Sequence, residues 1–225
     1  MRRLITAAVA CLFAVVIIGT ATWILWVPNY RPSLQPGQQF GIDVSAHQGN
    51  IDWNAVARDN IHFAYVKATE GMDFFDPKFI DNWNRSRHAG LKHGAYHFFT
   101  LCTPGQPQAD NFLSHVPHDA DALAPAIDLE LGGNCKDRPA AAAVRKQLET
   151  FVDAVERATG KTMVFYVGGD FEKLYPTQTW MDRPDWRRRI FRHPATNDWA
   201  IWQFSGLAHV NGISERVDLN IAKPN

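Results

Sequence analysis

The sequence predicts an α/β fold: a barrel of mostly parallel strands with degenerate last units, preceded by a membrane-inserting segment. Three observations predict it. Short apolar runs alternate with helix-like runs from about residue 40 to 160, the helix-like runs thin out after 160, and residues 4–27 carry no charge. Strands that alternate with helices build βα units, which lay their strands parallel in an open sheet or a barrel. At 225 residues the chain holds one domain and an appendage, not two large domains.

The first element is the uncharged run. Residues 4–27 make a helix of about 36 Å at about 1.5 Å per residue, enough to cross a hydrocarbon core of about 30 Å. A cleavable signal peptide has an apolar core of only about 7–15 residues before a small-x-small site. This run is longer and ends in Trp23 and Trp26, which suit an interfacial belt. A transmembrane anchor is therefore expected at 1–27, with a cleaved signal sequence as the alternative. Arg2 and Arg3 keep the N-terminus inside, so the rest is exported, membrane-anchored or, after cleavage, secreted. Residues 28–37, with three prolines, predict a stiff Pro-rich linker, and 38–225 the domain.

The strand candidates are 40–45, 62–69, 93–99, 124–130, 163–168 and 199–205. The helix candidates between them are 53–60, 77–90, 107–116 and 141–160. The last has Val144, Leu148, Phe151, Val152 and Val155 at helical spacing and Gly160 at its end. Cys11 lies in the apolar run, leaving Cys102 and Cys135 as a disulfide candidate in an oxidising compartment; two unrelated thiols are the alternative. Lys+Arg 23 balance Asp+Glu 23, so no nucleic acid partner is expected.

The acids carry the chemistry. Asp43 ends the first strand run, Asp128 and Glu130 lie in PAIDLE, and Asp218 in RVDLN. Strand residues two apart share a face, so Asp128 and Glu130 point one way and Ile127 and Leu129 the other. Burial and mutual repulsion raise the pKa of at least one such carboxyl, as an acid/base pair requires. In parallel α/β folds, functional groups gather at the carboxyl ends of strands. Candidate substrate-binding residues at these ends are Tyr65, Tyr96, Tyr166, Trp202 and Gln203, whose aromatic faces suit a sugar polymer. The histidines His88, His93 and His97 would be needed for a metal-dependent hydrolase, but His93 and His97 stand about 13 Å apart along a strand. The Arg187–Arg189 run is expected as a solvated helix or loop face.

The runs GIDVSAHQGNIDW, YVKATEG, GAYHFF, PAIDLE, FYVGGDF, WAIWQFS and VDLNIA, in this order, resemble the glycoside hydrolase family 25 muramidases, the Chalaropsis-type lysozymes. The resemblance covers about Phe40 to Ala222. It implies a flattened, irregular, TIM-like (β/α) barrel and hydrolysis of the β-1,4 bond between N-acetylmuramic acid and N-acetylglucosamine in peptidoglycan. It also implies retention of anomeric configuration, with no metal or organic cofactor. The DxE pair of the family falls on Asp128 and Glu130, its first-strand acid on Asp43, its late acid on Asp218, and its YVKATEG tyrosine on Tyr65; Glu70 of the same run joins the substrate-binding candidates. The cysteine-bearing stretches FFTLC and LGGNC resemble a membrane-anchored bacterial subgroup. Glu130 is then the expected general acid/base, and Asp128 a nucleophile or the helper that orients the substrate acetamido group. The expected partners are glycan strands and, through the first helix, a membrane, with the domain a monomer. The alternative function is a non-catalytic glycan-binding module on a degenerate barrel.

Overall fold

The computed structural model describes residues 2–224. In chain order its strands are β1 (Gln39–Val44), β2 (Ile61–Glu70), β3 (Phe74–Phe75), β4 (Lys92–Phe98), β5 (Ala126–Leu129), β6 (Val164–Val167), β7 (Asp185–Arg188), β8 (Trp199–Ala208) and β9 (Val217–Ala222). Eight of them close into a barrel in the order β1-β2-β4-β5-β6-β7-β8-β9, with β9 returning to β1; β3 only hairpins onto β2. Neighbours from β1 round to β8 run parallel, and β9 is antiparallel to both β8 and β1. The start of β9 therefore lies beside the carboxyl ends of the other strands, which brings its second residue, Asp218, to the same rim as Asp43, its register partner.

The helices are α1 (Arg2–Ala21), α2 (Trp53–Arg58), α3 (Phe79–His88), α4 (Gly105–His115), α5 (Ala141–Thr159), α6 (Gly169–Leu174) and α7 (Thr177–Trp180). Alternation along the strands makes two apolar layers. Phe63, Tyr65, Ala126, Val164, Tyr166, Trp186 and Ile201 fill the barrel interior. Ile127, Leu129 and Phe165 point outward and pack with the buried stripe of α5, Val144, Leu148, Phe151, Val152 and Val155. That helix ends on Gly160 in the left-handed region, as the spacing predicts. Gly105 opens α4 where an added Cβ would lie 1.9 Å from the Gln147 carbonyl oxygen, so only glycine lets α4 approach α5 this closely.

After residue 160 the crossovers shorten to α6 and α7, and β7 is followed by no helix at all. The Arg187–Arg189 run, expected as a helix or loop face, instead forms the end of β7 and the residue after it. Arg187 is tied into the wall by ion pairs to Asp185 and Asp198. Cys102 and Cys135 are bridged, with Cα atoms 6.2 Å apart, joining the loop after β4 to the loop after β5.

The stretch Cys11–Asn29 has a mean hydropathy of 2.1 and is almost wholly exposed, long and apolar enough to cross a bilayer. Its final turns, Thr22–Trp26 and Val27–Asn29, bring Val27 and Pro28 onto the barrel. The Pro-rich residues that follow lie against the wall. The His209 amide donates to the Pro28 carbonyl at 2.8 Å, Arg31 donates to the His209 carbonyl, and Leu34 packs against the core.

Candidate active site

One end of the barrel gathers the acids. Asp43 near the end of β1, Asp128 in β5, Glu130 just beyond it and Asp218 at the start of β9 line a cleft of about 100 Å³ with Tyr96, Ala126, Ile127, Tyr166 and Trp186. The acids of the parallel strands stand at or just beyond their carboxyl ends, while outward-facing residues such as Leu129 pack in the helix layer. A larger hollow of about 460 Å³ opens at the opposite end, beneath Phe63 and Tyr65, and has no carboxylate in its lining. The cleft with the acids is the one equipped for chemistry.

Burial sets the electrostatics. Asp43 is pushed well above the usual carboxylate range by burial and by Asp218. Two carboxyls at one register position cannot both ionise cheaply, so Asp43 keeps its proton and shares it with Asp218. Asn220 donates to Asp43 Oδ2 at 2.7 Å and accepts from the Trp186 indole at 2.8 Å, which fixes both neighbours. Asp218 is also raised by burial, while a hydrogen bond from Gln203 holds it back. Asp128 is raised by burial first and by Glu130 second, with Lys67 pulling in the other direction. Its Oδ1 is buried without a hydrogen-bond partner. Glu130 is raised by burial and restrained by the Tyr166 hydroxyl, which donates to Oε1 at 3.3 Å, and by Arg188. Tyr166 and Tyr96 are themselves pushed up, so both remain neutral hydrogen-bond donors.

Six sequence candidates thus meet in the cleft: Asp43, Asp128, Glu130, Asp218, Tyr96 and Tyr166. Gln203 stands behind it, bonded to Asp218. Glu70 sits at the end of β2, paired with Lys67 Nζ at 2.6 Å, and Lys67 lies over the Phe74 and Phe98 rings. Tyr65 does not reach the acids: it shares a face with them but lies lower, its hydroxyl donating to the Ala124 carbonyl at 3.0 Å and its ring 4.9 Å from that of Trp186. Trp202 is on the wrong face, buried in the outer layer with its indole donating to the Arg189 carbonyl. Trp186, Asn220 and Arg188 are site residues that the sequence did not disclose. A lone tryptophan two residues before an arginine, in DWRRR, was the available signal for the first and last.

The histidines serve structure. His93 pairs with Asp119 at 3.2 Å, and His97, between Thr69 and Gln108, is pushed down to about 3 by burial. Among the described residues no group of three or more His, Cys, Asp or Glu is placed to hold a metal ion.

This acid-ringed barrel matches a known family. The family model described as glycosyl hydrolases family 25 matches residues 42–213. The chain belongs to glycosyl hydrolases family 25. Like others of that family, it is a glycoside hydrolase. A solved family 25 glycosyl hydrolase from Bacillus anthracis superposes with a TM-score of 0.79 at 31% identity, covering 88% of this chain and 94% of that one. Lysozyme M1 of Streptomyces globisporus is 31% identical over 196 residues, 80% of this chain and 66% of its own length. The uncharacterised protein YegX of Escherichia coli (strain K12) is 36% identical over 189 residues, 80% of this chain and 68% of its own. The closed eight-stranded barrel with its outer helices matches the family 25 fold, the (β/α) barrel that the motif order implied.

Proposed function

We propose that the chain is a muramidase that cleaves the β-1,4 bond between N-acetylmuramic acid and N-acetylglucosamine in peptidoglycan, with retention. The observation that carries this is the Asp128–Glu130 pair: two carboxyls on one strand face, in one cleft, in different environments. Burial raises Glu130 and favours its protonated form against the opposing Tyr166 hydrogen bond, so Glu130 donates its proton to the glycosidic oxygen as the bond to C1 breaks. Asp128 keeps a buried oxygen with no partner, the place where a substrate N–H can bind. A 2-acetamido group held there turns its carbonyl oxygen toward C1, forms the C1–O bond from the face opposite the leaving group and makes a cyclic oxazolinium ion. Burial and Glu130 raise Asp128 in the free cleft, but the positive charge forming beside it favours its ionised form, and the Asp128 carboxylate then balances that charge. Water then attacks C1 while the Glu130 carboxylate takes its proton, and two inversions give retention. Asp43, protonated, and Asp218 bind sugar hydroxyls, and Trp186, Tyr96 and Tyr166 form the walls. Lysozyme M1 and the autolytic lysozyme of Clostridium acetobutylicum, both similar in sequence, support peptidoglycan as the substrate.

The test is Glu130→Gln, which keeps size and polarity but cannot donate a carboxyl proton. Loss of general acid catalysis should lower turnover of purified peptidoglycan by at least about 10²–10⁴-fold with melting unchanged. Full turnover by this variant would remove Glu130 from the mechanism.

A further inference from the structure

An apolar and basic patch lies where the first helix meets the barrel. The crossover from β7 to β8, which lacks a helix, exposes Ile190 and Phe191, and the end of β8 exposes Leu207. Phe191 has φ 52°, a strained conformation for a bulky residue, so the backbone at this turn holds an aromatic ring outward. That backbone is not loose. The Phe191 amide donates to the Phe204 carbonyl at 2.8 Å and the Arg189 amide to the Gln203 carbonyl at 3.0 Å, fixing the turn to β8. Arg189 and Arg192 flank the exposed pair, and no acid occurs between residues 186 and 197.

What covers this patch follows from its neighbour. Trp26, at the end of the apolar run, lies 5.0 Å from the Tyr30 ring, and Tyr30 lies 5.8 Å edge-on from Phe191. Pro28, between them, is bonded to His209, two residues from Leu207. The linker that could have spaced the domain from a bilayer is instead clamped to the barrel. If residues 4–27 span a membrane, with Trp23 and Trp26 in its interfacial belt, the aromatic contacts hold Phe191 at nearly the same depth.

We propose that Ile190, Phe191 and Leu207, with Arg189 and Arg192, form a membrane-contact surface that seats the barrel on the headgroups of an anionic bilayer beside its own anchor. The apolar tips enter the acyl boundary and the arginines meet lipid phosphates, the combination that binds interfacial segments to anionic membranes. Arg188, one residue before the patch, stands in register with Gln203, which bonds Asp218 of the cleft, so the cleft then opens close to the headgroups, onto the glycan nearest the membrane. The inference rests on residues 4–27 acting as an anchor.

The test uses the full chain, with Cys11→Ala and the disulfide intact, reconstituted in vesicles of phosphatidylglycerol and phosphatidylcholine. Single cysteines replace Phe191, Leu207, Ile80 on α3 as a remote exposed control, or Ile17 in the apolar helix, and each carries a fluorophore. Lipids with a nitroxide near the headgroup should quench the labels at 191 and 207 several-fold more than the label at 80, and an aqueous quencher should show the reverse order. Deep nitroxides should quench the label at 17. Quenching at 17 with labels at 191 and 207 as wet as the label at 80 overturns the surface and leaves the anchor standing. No lipid quenching at 17 overturns the anchor and the surface together. Labels shielded from water but untouched by either nitroxide mean that protein covers the patch, which also overturns the proposal. Leu207 guards against a folding failure at strained Phe191.

Discussion

At the scale of single residues, the proposed mechanism divides the cleft into groups that do chemistry and groups that hold them in the needed protonation state. Tyr166 belongs to both. Its hydroxyl stabilises the ionised form of Glu130, so Tyr166→Phe should raise the Glu130 pKa, and the high-pH limb of kcat/KM, which follows loss of the Glu130 proton, should move to higher pH. Loss of that hydroxyl should also lower kcat roughly tenfold, the worth of about one hydrogen bond. A pH–rate profile on purified glycan checks both; an unmoved limb would show that Tyr166 does not act on Glu130. Asp43 is a stored cost. A carboxyl whose folded pKa lies above its unfolded one loses stability as pH rises through the unfolded value towards the folded value. Asp43→Asn should therefore raise stability at neutral pH by about 1 kcal/mol while lowering activity, with the gain vanishing at acid pH where both chains are neutral there. Parallel thermal melts at the two pH values decide it, since a gain independent of pH would point to packing instead.

At the scale of elements, the disulfide is placed to hold the loop that carries Glu130. Cys135 follows Asn134, whose side chain donates to the Phe99 and Glu130 carbonyls and accepts from the Leu101 amide, so the bridge to Cys102 braces the exit of β5 where Glu130 stands. Replacing both cysteines with serine should cost roughly 3–4 kcal/mol on the chain-entropy account of a loop of this length. A lower kcat should accompany it. Urea melts and steady-state rates read the two effects, and an unchanged kcat would confine the bridge to stability. The same scale shows what a sequence can and cannot disclose. β5 was legible because acids at period two interrupt an otherwise apolar run, and α5 because its apolar stripe faces a single layer. β7 was hidden: its only large apolar residue, Trp186, points inward, and its outer face is stitched by Asp185, Arg187 and Asp198 rather than by a helix. Tyr65 shows a different limit. Alternation assigns a residue to a face of the sheet but not to a height in the barrel, and Tyr65 lies a level below the acids. For Trp202 even the face was misassigned; in WAIWQFS it is Gln203 that turns inward to Asp218.

At the scale of the whole molecule, topology explains why four acids from distant parts of the chain meet. Parallel strands bring Asp43, Asp128 and Glu130 to one rim, and the antiparallel barrel strand β9 brings Asp218 there from the other direction. The acids repel one another, so the closed barrel, its two apolar layers and the bridge must supply the stability that the cleft spends. The weak overall charge gives no attraction to a polyanion, which leaves recognition to specific groups in the cleft. The bond that is cut defines a muramidase. Digestion of purified peptidoglycan by the full chain, borohydride reduction of the new ends and analysis of the reduced sugars measure it directly. New ends that reduce to muramitol are the predicted result, absent with Glu130→Gln; glucosaminitol, or no new reducing end at all, would contradict it.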